Sequence, residues 1–453
     1  MGETNMFENN KILILGFARS GYESAKFLIG RGNTVIVNDG GNEEKHDPAK
    51  IQELKELGVQ FIFGSHPDDL LDNTFDYLIK NPGVPIAHKF VLQARELGIE
   101  VINEVEMAYR LLPKSVSMIG ITGTNGKTTT TTLTYNIMKR AFGDRVHLAG
   151  NIGYPLSGIL NDLKENDIIV MEVSCQQGEN FRDFHPHVAV FTNLTEAHVD
   201  FMKTYQHYMD VKTRMFLNQS EEDIAILNLE NADVLNQTKD IKSVKKYFSS
   251  KQEVEGCYLK DNAIYYKDEF IIDINDIKIK GMHNVENCMC ATMATKEYGV
   301  SSEIIKEVIS TFTGVEHRLE YVNTIDGADY YNDTEATNIK CTQIALSSFD
   351  RPTVIFLGGL ERGQDFNDLI PFMKNVKCVL AIGQCRERVK EFAEKLGIEV
   401  YAYEFLKDAF AKSREITKSG DVVLLSPASA SWDQYKECEV RGAEFKDLVN
   451  SSK

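Results

Sequence analysis

The stretch Gly120-Ile-Thr-Gly-Thr-Asn-Gly-Lys-Thr-Thr129 constrains the fold more than any other feature of the chain. The apolar run Val116–Ile121 leads into it as a buried strand, and a threonine-rich helical run from Lys127 to Arg140 leads out. A glycine turn between strand and helix aims backbone N–H groups and the positive end of the helix dipole at one place, which suits phosphate oxygens. Lys127 would neutralise the β/γ-phosphates, and the Thr128 hydroxyl would ligate Mg²⁺. A strict Walker loop has glycine where this chain has Ile121, and the competing reading is a plain tight turn with Lys127 exposed. Strand, loop and helix together favour phosphate binding.

A strand feeding a helix in this way belongs to a parallel sheet, and the rhythm recurs along the chain. Strands are predicted at Lys11–Gly16, Thr34–Asn38, Asp76–Lys80 and around Val101-Ile102, with a helix from Ser20 to about Gly30. After Pro113 the pattern restarts, with buried strands at Asp167–Val173, His187–Thr192 and Asp223–Asn228. Short β runs between Tyr247 and Ile274 (CYLK, AIYY, EFIID) read as a small antiparallel addition, followed by helices over Asn284–Tyr298 and Ser302–Thr311. A third α/β run has strands at Ala328–Asn332, Thr353–Leu357, Cys378–Ile382 and Asp421–Leu425. The expected fold class is α/β in three domains, residues 1–112, 113–314 and 315–453, since 453 residues exceed a single core.

A formal net charge of −17 argues against a general nucleic-acid binder or a membrane-surface binder, which need a basic face. No apolar run reaches the roughly eighteen residues of a membrane span, and the opening segment has no basic stretch of a signal peptide. The eight cysteines form no CxxC pair, so buried reduced thiols, a cytoplasmic location and no structural zinc are expected.

Other chemistry-bearing residues sit at strand ends. Glu172 closes the apolar Ile168–Met171 and stands where a parallel sheet places ligands, so beside a phosphate loop it becomes a candidate Mg²⁺ ligand. His198, in TEAHVD, follows another buried strand, while His185 and His187 read as packed or surface residues. Gly16-Phe-Ala-Arg-Ser-Gly21 is a weakened dinucleotide fingerprint with Ala18 at its middle glycine, and Asp39 stands where an acid would contact a ribose. On these residues alone, NAD binding and plain helix–strand packing compete evenly.

TGTNGKTTT, EVSCQQ, TEAHVD, GMHNVEN, HRLE, NDTEATN, LGGLERG and LSPASASWD occur in that order, an array that resembles the Mur ligase family. The resemblance implies an N-terminal Rossmann-like domain for a UDP group, a central P-loop ATPase and a C-terminal Rossmann-like domain for an amino acid. By it, Gly16, Asp39, Asn81 and Gly83 fall on the uridine-diphosphate site and Asn151 on a sugar–nucleotide contact. Gly123, Thr124, Asn125, Gly126, Lys127, Thr128 and Thr129 match the ATP loop, with Asn284 and Asn287 at adenine and Arg318 and Asp333 reaching ATP from the third domain. Glu172 and His198 match metal ligands, and Lys212 matches a lysine that is carbamylated to bind a second Mg²⁺. Thr337, Arg362 and Ser431 match an amino-acid site, and the last four motifs point to the branch that adds D-glutamate.

The implied reaction is an ATP-dependent amide ligation of D-glutamate to UDP-N-acetylmuramoyl-L-alanine through an acyl phosphate, by a monomer whose third domain closes to exclude water. Sister ligases with other amino acids, a folate-chain ligase or a non-catalytic nucleotide binder are the alternatives. Two departures stand out: Glu335 replaces the lysine usual in NDSKATN, and Cys438 stands where a Phe is usual. Arg362 replaces a lysine found in some relatives, which keeps the charge and adds a bidentate fork.

Overall fold

Apolar strands alternating with amphipathic helices bury both faces of a sheet when the strands run parallel, and three mainly parallel sheets form here. The computed structural model describes residues 6–196, 202–279 and 281–452. The chain divides into two compact units, Met1–Phe312 with two of the sheets and Thr313–Lys453 with the third.

The first sheet contains β1 (Lys11–Leu15), β2 (Thr34–Asp39), β3 (Gln60–Phe63), β4 (Tyr77–Lys80) and β5 (Glu100–Asn103), all parallel in the order β3-β2-β1-β4-β5. Alternation along β1 explains its two-sided core. Ile12 and Ile14 pack with Ala25 and Leu28 of the helix Arg19–Ile29, while Leu13 and Leu15 pack with Phe90 and Ala94 of the helix Lys89–Glu96.

The second sheet has nine strands: β6 (Ser117–Thr122), β7 (Val146–Gly150), β8 (Ile168–Glu172), β9 (Val188–Phe191), β10 (Ile224–Asn228), β11 (Val244–Ser249), β12 (Cys257–Lys260), β13 (Ala263–Tyr266) and β14 (Glu269–Asp273). Their order is β14-β13-β12-β11-β10-β9-β6-β8-β7. The segment CYLK, expected within an antiparallel addition, joins it by pairing antiparallel with β13, while its other edge extends the parallel run by pairing with β11; β13 and β14 also pair antiparallel. The helix Lys127–Phe142 packs against the helix Met282–Lys296.

In the second unit, β15 (Glu320–Ile325), β16 (Ala328–Asn332), β17 (Thr353–Gly358), β18 (Val376–Ile382), β19 (Glu399–Tyr403) and β20 (Val422–Leu425) lie in the order β15-β16-β20-β17-β18-β19. Only β15 is antiparallel to its neighbour. All eight cysteines are free, and two of them, Cys341 and Cys438, are half-buried rather than buried. Among the described residues no helix is long and apolar enough to cross a membrane.

The two sheets of the first unit meet where the helix Glu104–Tyr109 packs on the short helix Leu156–Ile159. Glu104 is only 2% exposed there, and its Oε1 accepts the Ser157 N–H at 2.5 Å. Burial, with a smaller push from the Glu23 carboxylate, raises its pKa from the ordinary 4.5 to about 7. The folded chain therefore holds this proton more tightly than the unfolded chain. The stability it contributes is complete below pH 4.5 and is lost as pH rises through about 7. Glu104→Gln should match the parent near pH 4.5 and exceed it by up to about 3 kcal/mol at pH 8. Urea unfolding across that range checks this, and a difference that stays flat with pH contradicts it.

Candidate active site

Gly123 and Gly126 shape the turn between β6 and its helix, with φ of +152° and +79°. Both must be glycine. A Cβ on Gly123 would lie 1.9 Å from Thr192 Oγ1, and one on Gly126 would lie 2.2 Å from Asn287 Oδ1. The chain leaving β9 straps the turn down. Thr124 N donates to Asn193 O and Asn125 N to Asn193 Oδ1, both at 2.9 Å, and Thr192 Oγ1 donates to Asn125 O at 2.7 Å. Thr192 and Asn193 were not singled out in the sequence, although FTN stands one residue before a motif that was.

Lys127, Thr128 and Thr129 open the helix half-buried, and Lys127 Nζ donates to Thr124 O at 2.9 Å. Beneath Gly126, Asn287 is buried; its Oδ1 accepts from Thr130 Oγ1 at 3.2 Å and its Nδ2 donates to Asn284 Oδ1 at 3.0 Å. The structure thus brings both adenine candidates close to the loop.

Glu172 ends β8 in register with Ile121, and is 1% exposed. Its Oε1 accepts from Asn151 Nδ2 at 2.7 Å, whereas Oε2 is buried with no hydrogen-bond partner among the described residues. A buried carboxylate oxygen with unused lone pairs, at a sheet edge beside a phosphate-type loop, fits a hard cation such as Mg²⁺. Lys212 comes from the helix Tyr205–Leu217 and is 3% exposed. Its Nζ donates to Gly123 O at 2.5 Å and sits 5.0 Å from the Tyr208 ring centroid. Burial first, then the nearby Lys127 charge, lowers the Lys212 pKa to about 7. The helix face of Tyr208, Val211 and Phe216 is buried, so the surface reading of Lys212 fails. His198 lies outside the described residues. His185 and His187 pair with Tyr109 and Asp223.

At the C-terminal edge of the first sheet, Gly16 and Asn81 are adjacent: a Cβ on Gly16 would lie 2.8 Å from that of Asn81. Asn81 Nδ2 donates to Ser20 Oγ at 3.0 Å, and its Oδ1 accepts Gly83 N at 3.0 Å. The Asp39 carboxylate accepts from Phe17 N and Gly41 N, both at 2.7 Å. Asn151 stands apart from this group, against Glu172, although Arg19 of the first sheet's helix reaches Gly153 O nearby.

In the second unit Asp333 is buried, accepting from Ser426 Oγ at 2.7 Å and from Leu319 N at 3.1 Å, and burial raises its pKa to about 7. Arg318 is exposed and acts on it electrostatically. Thr337 is half-buried, the exposed Arg362 lies over the Trp432 ring at 4.6 Å, and Ser431 is buried with an unpartnered Oγ. Glu335 and Cys438, separate departures in the sequence, are neighbours: with Glu439 their ligand atoms all lie within 4.8 Å of one another.

Three family descriptions match the chain in tandem: the MurD-like Mur ligase N-terminal domain over residues 10–103, the Mur ligase middle domain over 121–295 and the Mur ligase glutamate ligase domain over 317–429. The UDP-N-acetylmuramoylalanine–D-glutamate ligases of Bacillus cereus (strain G9842) and Bacillus anthracis (strain A0248) are each 42% identical over 446 residues, which is 98% of both chains. Among solved structures, the UDP-N-acetylmuramate–alanine ligase of Thermotoga maritima aligns with a TM-score of 0.57 at 18% identity, over 98% of this chain and 100% of that one. E. coli FolC, in complex with DHPP and ADP, aligns at 0.55 and 16%, over 76% and 92%. At such identities these two speak for the fold alone. Motif order, three-sheet architecture and full-length identity agree: the chain belongs to the Mur ligase family.

Proposed function

We propose that this chain is an ATP-dependent carbon–nitrogen ligase that adds D-glutamate to UDP-N-acetylmuramoyl-L-alanine during cytoplasmic assembly of peptidoglycan precursors. What carries this is the meeting, at one sheet edge, of the Gly123–Gly126 turn with Lys127, the unbonded Glu172 oxygen and buried Lys212. The full-length relatives named for that reaction support the choice of substrates. Residues 1–112 would hold the UDP group through Gly16, Asn81 and Gly83, with Asp39 shaping the loop and Asn151 reaching the sugar. Residues 113–314 would hold ATP through the loop, Asn284 and Asn287, with Arg318 and Asp333 supplied from residues 315–453, which would also take the amino acid through Thr337, Arg362 and Ser431. The protein is taken to act as a monomer.

A carboxylate resists attack by an amine because its leaving group would be oxide. An oxygen of the L-alanyl carboxylate instead attacks the γ-phosphorus of ATP, an O–P bond forms and ADP leaves. The D-glutamate amine then attacks the acyl carbon, the C–N bond forms, phosphate departs and the amine loses its proton. Thr128, Glu172, His198 and Lys212 would hold two Mg²⁺ ions, whose charge offsets that of the transferring phosphoryl group and of the oxyanion. Lys127 adds a fixed positive charge, and the turn's N–H groups orient the triphosphate.

An ammonium cannot ligate Mg²⁺, and Mg²⁺ prefers oxygen to an amine. With a pKa near 7, Lys212 offers neutral amine at physiological pH. Its lone pair forms an N–C bond to CO₂ and the nitrogen releases a proton to water, leaving a carbamate whose oxygens carry the negative charge. The amine fraction grows as pH rises through about 7, so activity lost on removing CO₂ should return faster at pH 8 than at pH 6 when the same concentration of dissolved CO₂ is restored at both.

Lys127→Ala should fold normally by circular dichroism yet lose at least about a hundredfold in kcat; near-normal turnover refutes its role. Lys212→Ala and Lys212→Arg should both lose at least about a hundredfold, with acetate restoring part of the activity of the alanine variant only. A fully active arginine variant disposes of the carbamate. Sustained ADP release over many turnovers should require all three substrates, and L-glutamate should be rejected. Arg362→Ala should raise the KM for D-glutamate at least about tenfold and leave that for ATP nearly unchanged. Faster turnover of L-alanine or a diamino acid overturns the assignment.

A further inference from the structure

Arg441 heads the large side chains sealed inside the described protein, at 1% exposure, in the first turn of the helix Cys438–Ser451. Three conditions there oppose a cation. Burial strips the guanidinium of water, no described carboxylate comes within salt-bridge range, Asp433 acting on it only from farther off, and it lies near the positive end of its own helix dipole. Burial lowers its pKa only to about 10, so it stays charged at neutral pH.

Its bonds all run to loops. Nε donates to Thr334 Oγ1 at 3.0 Å, and Nη2 donates to Thr334 O at 3.1 Å and to Ser429 O at 3.2 Å. Nη1 is buried without a partner, 3.1 Å from where a Cβ on Gly359 would stand. That glycine, at φ +146°, lets its loop lie against Ala430 O, which a Cβ would approach to 2.3 Å. Thr334 precedes Thr337, Ser429 precedes Ser431 and Gly359 precedes Arg362, each by two or three residues. One buried cation therefore bonds two of the loops that carry the amino-acid residues and lies against the third.

We propose that Arg441 is a positioning residue for the amino-acid substrate, its buried guanidinium clamping the loops of Thr337, Arg362 and Ser431 in the arrangement that receives a dicarboxylate. This rests on the assignment of those three residues to the amino-acid site. A buried cation that spends its hydrogen bonds on loop carbonyls and a hydroxyl fixes where those loops stand, since each bond lost there would leave a buried polar group unsatisfied.

The test uses full-length Arg441→Lys and Arg441→Gln, with a melting curve for each. The glutamine variant should raise the KM for D-glutamate at least about tenfold, the lysine variant less, while those for ATP and the UDP substrate stay within about twofold. A merely structural arginine would move all three together with Tm, and that result overturns the proposal, as does an unchanged D-glutamate KM in the folded glutamine variant. Should the glutamine variant not fold, the lysine variant decides: a D-glutamate KM within about twofold of the parent sinks the idea. Arg362→Ala and Ser431→Ala run alongside. If neither changes the D-glutamate KM, the site assignment fails and this proposal with it; if they do and Arg441→Gln does not, only this proposal fails.

Discussion

The turn from Gly123 to Gly126 has no ladder of its own, and the chain leaving β9 decides its shape. Asn193 meets Thr124 N through its carbonyl and Asn125 N through its side chain, while Thr192 holds Asn125 O. Fixing the turn fixes the Gly123 carbonyl that receives Lys212, and so sets where a buried amine can sit. It also leaves Glu172, in register on β8, facing the same edge with one oxygen unbonded. A parallel sheet supplies the common edge, and the strap gives the turn at that edge a fixed shape.

Much of this was legible in the residues. Strands buried on both faces, such as KILIL and TVIFLG, announce themselves as unbroken apolar runs, and CYLK, AIYY and EFIID lie where they were expected. β3, β7, β15 and β19 were missed because they are sheet edges whose half-exposed side chains blur the pattern. The candidate ligands Glu172 and Lys212 stood out by motif, yet their burial depends on packing between segments far apart in sequence. Arg441 was missed altogether: in the string ECEVRGAEF an arginine reads as helix surface, and only the folded loops around it reveal an interior cation.

The paired departures make a similar point. Glu335 and Cys438 lie 103 positions apart in the sequence, yet they share one small patch with Glu439. The two share one environment: burial first, then the Glu335 carboxylate, pushes the Cys438 thiol pKa up. An acidic chain can likewise be built to face phosphates, because backbone N–H groups at turns and helix starts do work that basic side chains would otherwise do. Asp39 is instructive here: its carboxylate is occupied by Phe17 N and Gly41 N and shapes a loop.

In the second unit, β20 is hydrogen-bonded on one side to β16 and on the other to β17, yet it follows every other strand of its sheet along the chain. As the polypeptide emerges from the ribosome, β16 and β17 have no direct ladder to each other and must wait, each with an open apolar edge, for a segment synthesised about seventy residues after β17 began to appear, roughly several seconds at usual elongation rates. The sheet closes around its last-made strand, and protection of those edges during synthesis becomes a requirement that the finished molecule no longer displays.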